Sequence, residues 1–188
     1  MKKKWWFLII PVCLLILIWV CSPVVRLVPE KTRQMAIPSL TPQEKTEIKA
    51  DTRNLNEEQI FWYGVTKAKD DLKFTRGNDV TNKKANCWGY AAYAKQIIDY
   101  GLKVNGYKNK TYHYIGHLEP FGLFDLNKIA FKILPEKDGK FFKDHDFVGI
   151  EMDNGREILF SPSLYDVVKF GCRTDSYFSG NKKINIKK

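Results

Sequence analysis

The chain has 188 residues, with 31 basic against 21 acidic side chains and a formal net charge of +10. Much of the excess lies at the two ends, which leaves a charge of only about +2 in the body between them. This balance, without a basic stripe interleaved with aromatic residues, excludes a nucleic-acid partner.

The N-terminal segment predicts a membrane anchor. Residues 5–25 are predominantly apolar, and no charged side chain lies between Lys4 and Arg26. Such a stretch, at about 1.5 Å per residue, spans roughly 30 Å, the thickness of a bilayer's hydrocarbon core. Three lysines precede it, which places the N-terminus in the cytoplasm. We therefore predict a single-pass anchor over residues 1–26, with the folded part on the outer side of the cell membrane.

Two other interpretations of this segment stay open. A cleaved secretory signal would be cut after a small residue, but Pro23 follows the nearest candidate site at Ser22 and disfavours cleavage. A lipoprotein would carry a small residue just before its lipidated cysteine, whereas Val20 precedes Cys21. All three interpretations place the domain outside the cytoplasm.

The rest of the chain predicts helices first. Residues 27–40 contain two prolines and no periodicity, which indicates a linker. Thr41, with Pro42 and Glu44 after it, predicts a capped helix start. A longer helix is predicted over residues 56–74. A third is predicted over residues 87–100, rich in glycine and alanine and ending at Gly101.

The signals then change to strands, which we predict over residues 111–118, 128–134, 141–152 and 157–160. The tripeptide Asp153-Asn154-Gly155 predicts a hairpin between the last two. Helices followed by an antiparallel sheet indicate the α+β class, with a cysteine-bearing central helix packed on the sheet. We predict one globular domain over residues 41–180, followed by a basic tail over residues 181–188.

Cys87 is the candidate nucleophile. It stands in the first turn of the third predicted helix, after Asn86 as a cap, where backbone N–H groups and the helix dipole favour a thiolate. His145 opens a predicted core strand and is the candidate base. Two alternatives stay open for Cys87, a disulfide with Cys172 in an oxidising compartment and a buried structural thiol.

The segment Asn86-Cys87-Trp88-Gly89-Tyr90-Ala91-Ala92 resembles the cysteine motif of transglutaminase-like proteins. The strand at His145, the hairpin after it and the segment Phe160-Ser161-Pro162-Ser163 also resemble that family in order and spacing, over about residues 50–166. The resemblance implies a papain-like core, with Cys87 and His145 as catalytic residues and the third residue at Ser161.

The family has aspartate where this chain has Ser161. Serine can hydrogen-bond an imidazole but carries no charge, so Asp166 or Asp153 could take its place. Val148-Gly149-Ile150 and the hairpin also resemble the histidine strand of NlpC-type cell-wall peptidases, which share the papain-like core.

No cofactor is predicted, and no metal site. His113 and His117 share one strand face, but the chain has no Cys-x-x-Cys or His-Glu-x-x-His motif. We expect a membrane-anchored Cys–His hydrolase or acyl transferase that acts on amide bonds of peptide, protein or cell-wall substrates. A non-catalytic envelope or scaffold domain with a degenerate triad is the alternative from a different class.

Overall fold

The structure is a computed structural model that describes residues 25–34, 36–120, 123–133, 143–168, 173–179 and 182–184. In chain order the elements are β1 (Val25–Thr32), α1 (Pro42–Asp51), α2 (Glu57–Asp71), β2 (Lys73–Phe74), a 3-10 turn (Val80–Asn82), β3 (Lys84–Ala85), α3 (Cys87–Val104), β4 (Lys110–Pro120), α4 (Leu126–Ile133), β5 (His145–Glu151), β6 (Arg156–Phe160), α5 (Pro162–Val168), β7 (Arg173–Ser179) and β8 (Lys182–Ile184).

The part of the chain that the structure describes contains both helices and strands, and the strands form two sheets. Six of them make one antiparallel sheet in the order β1-β4-β5-β6-β7-β8, and β2 pairs with β3 in a separate short ribbon. The large sheet curls, so that β1 also approaches β7. The α+β expectation is confirmed at this level.

The first two helices begin where their caps predict. Thr41 and Glu44 form a reciprocal capping box at the start of α1, and Asn56 and Gln59 do the same for α2. Each box satisfies backbone N–H groups that the first turn leaves without partners.

The third helix is the centre of the core. α3 lies between the other helices and one face of the sheet, and ten of its residues are buried, including Tyr90, Ile97 and Ile98. It passes through Gly101 and ends at Val104, later than predicted. A side chain at Gly101 would collide with Ile60 of α2, whose Cγ2 lies 2.9 Å from the position of a Cβ. Gly101 is therefore a contact point between helices and does not end the helix.

The two faces of the sheet have different neighbours. Val148, Ile150, Ile158 and Phe160 belong to the large core that contains α3, whereas alternate residues of the same strands belong to a smaller cluster. That cluster contains Leu27, Leu118, Phe147 and Leu159. Because successive strand residues point to opposite faces, a residue's position along β5 decides which cluster it joins.

The N-terminal boundary of the folded part differs from the prediction. Val25–Thr32 forms β1, which pairs with β4 from Val25↔Pro120 to Thr32↔Tyr114, with an irregularity at Pro29. β1 therefore contains residues 25–26 of the predicted anchor and residues 27–32 of the predicted linker, and both of these boundaries are wrong. Pro29 is tolerated because β1 is an edge strand in the ladder. Residues 1–24, which make up nearly all of the predicted anchor, lie outside the described residues. No helix within the described ranges is long and apolar enough to cross a bilayer.

Three other elements can be compared with their predictions. The hairpin at 153–155 is confirmed, with Gly155 at a φ of 76°. Residues 128–133 are wrongly predicted as a strand: they belong to α4, because Asp125 Oδ1 accepts a hydrogen bond from Lys128 N and caps a helix. Lys182–Ile184 of the predicted basic tail forms β8.

Candidate active site

Cys87 is the first residue of α3 and is a free thiol. The side chain of Asn86 caps the helix by accepting hydrogen bonds from Trp88 N at 3.1 Å and Gly89 N at 3.4 Å. Asn78 in turn accepts a bond from Asn86 N at 3.0 Å. This chain of polar contacts fixes the start of the helix and therefore the position of the thiol. Cys172, the alternative disulfide partner, lies outside the described residues.

The surroundings of Cys87 favour the neutral thiol. Burial raises the pKa of Cys87 to about 11, and the negative charge of Asp146, with Asp144 as a smaller contributor, acts in the same direction. Hydrogen bonds from the backbone N–H groups of Asp146 and Trp88 oppose this rise in pKa without cancelling it. The sequence predicts a thiolate stabilised by the helix terminus, but burial outweighs that effect.

Asp146 links Cys87 to His113, which is a different histidine from the predicted base, His145. Its Oδ2 lies 4.0 Å from Cys87 Sγ, and its Oδ1 lies 2.6 Å from His113 Nε2. His113 and Asp146 are each 2 % exposed. They stand on neighbouring strands, with Ile115 opposite Asp146 and His113 opposite Val148, so both point to the face that packs against α3.

Arg33 completes the surroundings of Asp146. Its Nη1 lies 3.1 Å from Asp146 Oδ1, and its backbone N–H donates to the carbonyl of His113 at 2.8 Å. The guanidinium also lies over the ring of Trp88, 5.9 Å from the centroid. The same Nη1 also donates a hydrogen bond to Asp146 Oδ2 at 3.3 Å, so Arg33 compensates the charge of the buried carboxylate at both oxygens, including the one that faces Cys87.

His145 and Ser161 are brought together, but on the other face of the sheet. His145 Nε2 lies 2.7 Å from Ser161 Oγ, and the imidazole stacks on Phe147, a member of the smaller cluster. Burial lowers the pKa of His145 to about 4. Because Asp146, the next residue, contacts Cys87, alternation along β5 turns His145 away from the thiol. The structure therefore does not place His145 beside Cys87 as predicted; Asp146 is the residue of β5 that contacts the thiol.

The two alternative orienting residues have other partners. Asp166 Oδ2 accepts a hydrogen bond from the hydroxyl of Tyr90 at 2.7 Å. Asp153 accepts one from Asn109 Nδ2 at 3.0 Å, in the hairpin. Asp166 thus ties α5 to α3, and Asp153 ties the hairpin to the start of β4.

The histidines do not share a site. His117 contacts Glu30 through Nδ1 at 2.9 Å and Glu119 through Nε2 at 3.2 Å. Among the described residues, Glu30, His117 and Asp125 are the set whose ligand atoms lie within 4.8 Å of one another, as a metal ion would need. Asp125 also pairs with Lys128 at 3.3 Å. These contacts are those of a surface histidine hydrogen-bonded to two carboxylates, beside an aspartate–lysine ion pair.

A surface cavity of about 260 Å³ lies away from the thiol. Lys108, Lys110, Glu151 and Asp153 are among the residues that line it. Glu151 is five positions along β5 from Asp146, roughly 17 Å at about 3.3 Å per residue. This cavity is therefore remote from Cys87.

The signal that could have identified Asp146 was weak. The run His145-Asp146-Phe147-Val148-Gly149-Ile150 is buried throughout, so its sequence does not alternate between apolar and polar residues. A run buried on both faces does not indicate which residues face the helix. In the sequence, His113 is distinguished only by sharing a predicted strand face with His117.

Comparisons of the chain with protein-family models, with curated proteins and with solved structures return no match. The chemistry of the site is therefore inferred from its own side chains.

Proposed function

We propose that the chain is a membrane-anchored cysteine hydrolase of amide bonds, with Cys87 as the nucleophile, His113 as the general base and Asp146 as the residue that orients His113. The observation that carries the proposal is the contact of one buried carboxylate with both the thiol at a helix start and an imidazole. The carboxylate thus gathers the three residue types of nucleophilic catalysis in one place. The proposal further requires that the imidazole of His113 come within hydrogen-bond reach of Cys87 Sγ when the substrate binds.

The chain order also agrees with the transglutaminase-like resemblance. Cysteine opens the central helix, histidine stands on the next strand of the sheet, and aspartate stands on the strand beside it. The resemblance placed histidine and its partner on β5 and β6, whereas the proposal places them on β4 and β5. Aspartate then fills the third role, while position 161 still has serine where the family has aspartate. A papain-like core is part of this proposal.

The reaction follows from these positions. As the substrate binds, His113 takes the proton of Cys87 and the sulfur attacks the amide carbonyl carbon. The oxyanion accepts a hydrogen bond from the backbone N–H of Cys87 at the helix start. The C–N bond breaks, His113 gives the proton to the leaving amine, and a thioester remains on Cys87. Water, deprotonated by His113, then attacks the thioester, which releases the acid and restores the thiol.

The raised pKa of Cys87 bears on whether the thiol loses its proton before the reaction or during it. A thiol with a pKa of about 11 is almost entirely protonated near neutral pH, so the resting state in this mechanism carries the neutral thiol. The proton must move to His113 during the reaction. Asp146 stabilises the imidazolium that forms, because it carries the opposite charge and is already hydrogen-bonded to the ring.

A second candidate is a non-catalytic envelope domain that keeps the fold. The observation that favours it is the same high pKa of Cys87, which is typical of a buried structural thiol. An NlpC-type peptidase is a further alternative within the enzyme class; it would act on cell-wall peptides and would take its histidine from β5.

The experiment that separates these candidates looks for cysteine-dependent products. Purified full chain in detergent is incubated with glutamine-containing peptides and with cell-wall peptides, and released ammonia and new amino termini are measured. The proposal expects products with the wild type and none with Cys87→Ala. If no product or thioester depends on Cys87 for either substrate class, the non-catalytic alternative stands.

A further inference from the structure

Large apolar side chains are exposed on one face of α4 and in the segment just before it. They belong to Leu123, Phe124, Leu126, Ile129 and Ile133, which are 76 %, 44 %, 38 %, 39 % and 75 % exposed. Single exposed apolar side chains are ordinary on a protein surface, but a contiguous group of large ones indicates an interaction site. We refer to these five residues as the α4 surface.

The helix holds this surface outward. Leu126, Ile129 and Ile133 recur at three- and four-residue spacing and so form one face of α4. Asn127, next to the first of them, is buried and accepts a hydrogen bond from Leu118 N at 2.9 Å, which fixes the opposite side of the helix to β4. Lys132 follows at the edge of the apolar face. The arrangement is that of an amphipathic helix with one face attached to the sheet and an apolar face toward the surroundings.

The α4 surface lies close in the fold to the end of the predicted membrane anchor. Val25, the last residue of the predicted anchor's apolar stretch, is paired directly with Pro120 in the β1–β4 ladder. Paired Cα atoms in such a ladder lie about 5 Å apart. Leu123 is only three residues beyond Pro120, so at most about 11 Å of chain separates them. The α4 surface thus lies beside the point where the chain leaves the predicted bilayer.

We propose that the α4 surface inserts into the interface of the outer leaflet of the membrane that residues 5–25 are predicted to span. Apolar side chains of an amphipathic helix enter the boundary between headgroups and acyl chains, while lysines at its edge contact anionic headgroups. Lys132 is exposed and supplies that charge, and Lys128 is also exposed although it pairs with Asp125 at 3.3 Å. The inference rests on the predicted anchor and is independent of the catalytic proposal.

This contact would fix the height of Cys87 above the bilayer. Asp146 stands opposite Ile115, and Ile115 stands opposite Lys31, six residues along β1 from Val25. Six residues of strand correspond to roughly 20 Å. With an anchor alone the domain could tilt, whereas two attachments hold the thiol at a constant distance from the lipid surface.

The test uses the full chain in vesicles of phosphatidylcholine and phosphatidylglycerol. A fluorescent non-canonical amino acid replaces Ile129, and its emission is compared with and without acyl-brominated lipids. The control carries the same label in place of Lys108, an exposed residue near the far end of β4. We expect quenching of at least about twofold at position 129 and none at position 108.

A second variant separates the surface from the anchor. Leu126→Ser, Ile129→Ser and Ile133→Ser are combined in a chain labelled at Leu123. We expect this chain to resist extraction by alkaline carbonate, because the anchor remains, yet to lose most of the quenching at position 123. Circular dichroism checks that the variant folds.

Three outcomes would overturn the proposal. In the first, position 129 is quenched no more than position 108. In the second, the label is shielded from lipid but its emission shifts with protein concentration, which means that a second copy covers the surface. In the third, alkaline carbonate extracts the wild-type chain, so that no anchor brings the surface to the bilayer.

Discussion

His113 Nε2 lies 2.6 Å from Asp146 Oδ1 on the sheet face that packs against α3, and the other oxygen of that carboxylate lies 4.0 Å from Cys87 Sγ. One side chain therefore has two opposite effects. Its charge raises the pKa of the thiol, yet in the proposed mechanism the same charge stabilises the imidazolium that forms when the thiol loses its proton.

Asp146→Asn is expected to separate these two effects. Removal of the negative charge should bring the pKa of Cys87 below about 11, although burial keeps it above the ordinary value of 9.0. Turnover should nevertheless fall by roughly 100-fold, because His113 loses the carboxylate that orients it. The absorbance of the thiolate as a function of pH measures the first effect, and product formation from a Cys87-dependent substrate measures the second.

Asp144→Asn is the matched control for this variant. Asp144 is a weaker contributor to the raised pKa of Cys87, and the bond from His113 goes to Asp146. The control should lower the thiol pKa slightly and leave turnover within about twofold of wild type. Equal losses of turnover in both variants would mean that Asp146 acts only through local charge.

His145 is expected to make the fold sensitive to acid. Burial lowers its pKa from 6.5 to about 4, so between these values the unfolded chain binds a proton that the folded chain does not. Stability attributable to this group is therefore full above about pH 6.5 and is lost as the pH falls toward 4. The loss amounts to roughly 3 kcal/mol when complete.

Urea unfolding of the wild type and of His145→Gln at pH 7.0, 5.5 and 4.5 checks this expectation. Glutamine can still hydrogen-bond Ser161 but does not titrate in this range, so the variant should show a shallower decline toward acid pH. Identical declines in the two proteins would show that His145 is already protonated, or exposed, in the folded chain.

Gly116→Ala is expected to weaken the attachment of β1. A Cβ at Gly116 would lie 1.9 Å from the carbonyl oxygen of Val28, and backbone cannot move aside as a flexible side chain can. We expect a loss of at least about 2 kcal/mol in the free energy of unfolding. Gly77→Ala is the control, since nothing lies within 4 Å of its Cβ position. A Gly116→Ala chain as stable as the control would indicate that β1 is not held against β4 at this point.

Local signals in the sequence predicted most of the elements that have caps or strong turn residues. The capping box at Thr41, the Asn86 cap and the Asn154-Gly155 turn each act within a few residues, so their chemistry can be read without knowledge of the fold. β1 was missed because Pro29 removes a donor and breaks the pattern, although an edge strand with an irregular register accommodates it.

The candidate base was missed for a non-local reason. The two histidines at positions 113 and 145 both stand on strands, and the sequence gives no measure of which face of each strand meets α3. A shift of one residue exchanges the two faces, and β5 is buried on both sides, so hydrophobicity could not decide between His145 and Asp146. Only the pairing of β4 with β5 and the position of α3 bring His113, Asp146 and Cys87 together.

The central claim is that His113, and not His145, takes the proton of Cys87. The most direct measurement is the rate at which iodoacetamide alkylates Cys87 at pH 7.5, followed by mass spectrometry of the peptide that contains it, in the wild type, His113→Gln and His145→Gln. Iodoacetamide reacts with the thiolate, so the rate reports how readily Cys87 loses its proton, and under the proposal His113 is the group that accepts it. We predict a rate at least about 10-fold lower in His113→Gln and unchanged within about twofold in His145→Gln. Equal rates in the wild type and His113→Gln, or a loss confined to His145→Gln, would contradict the assignment.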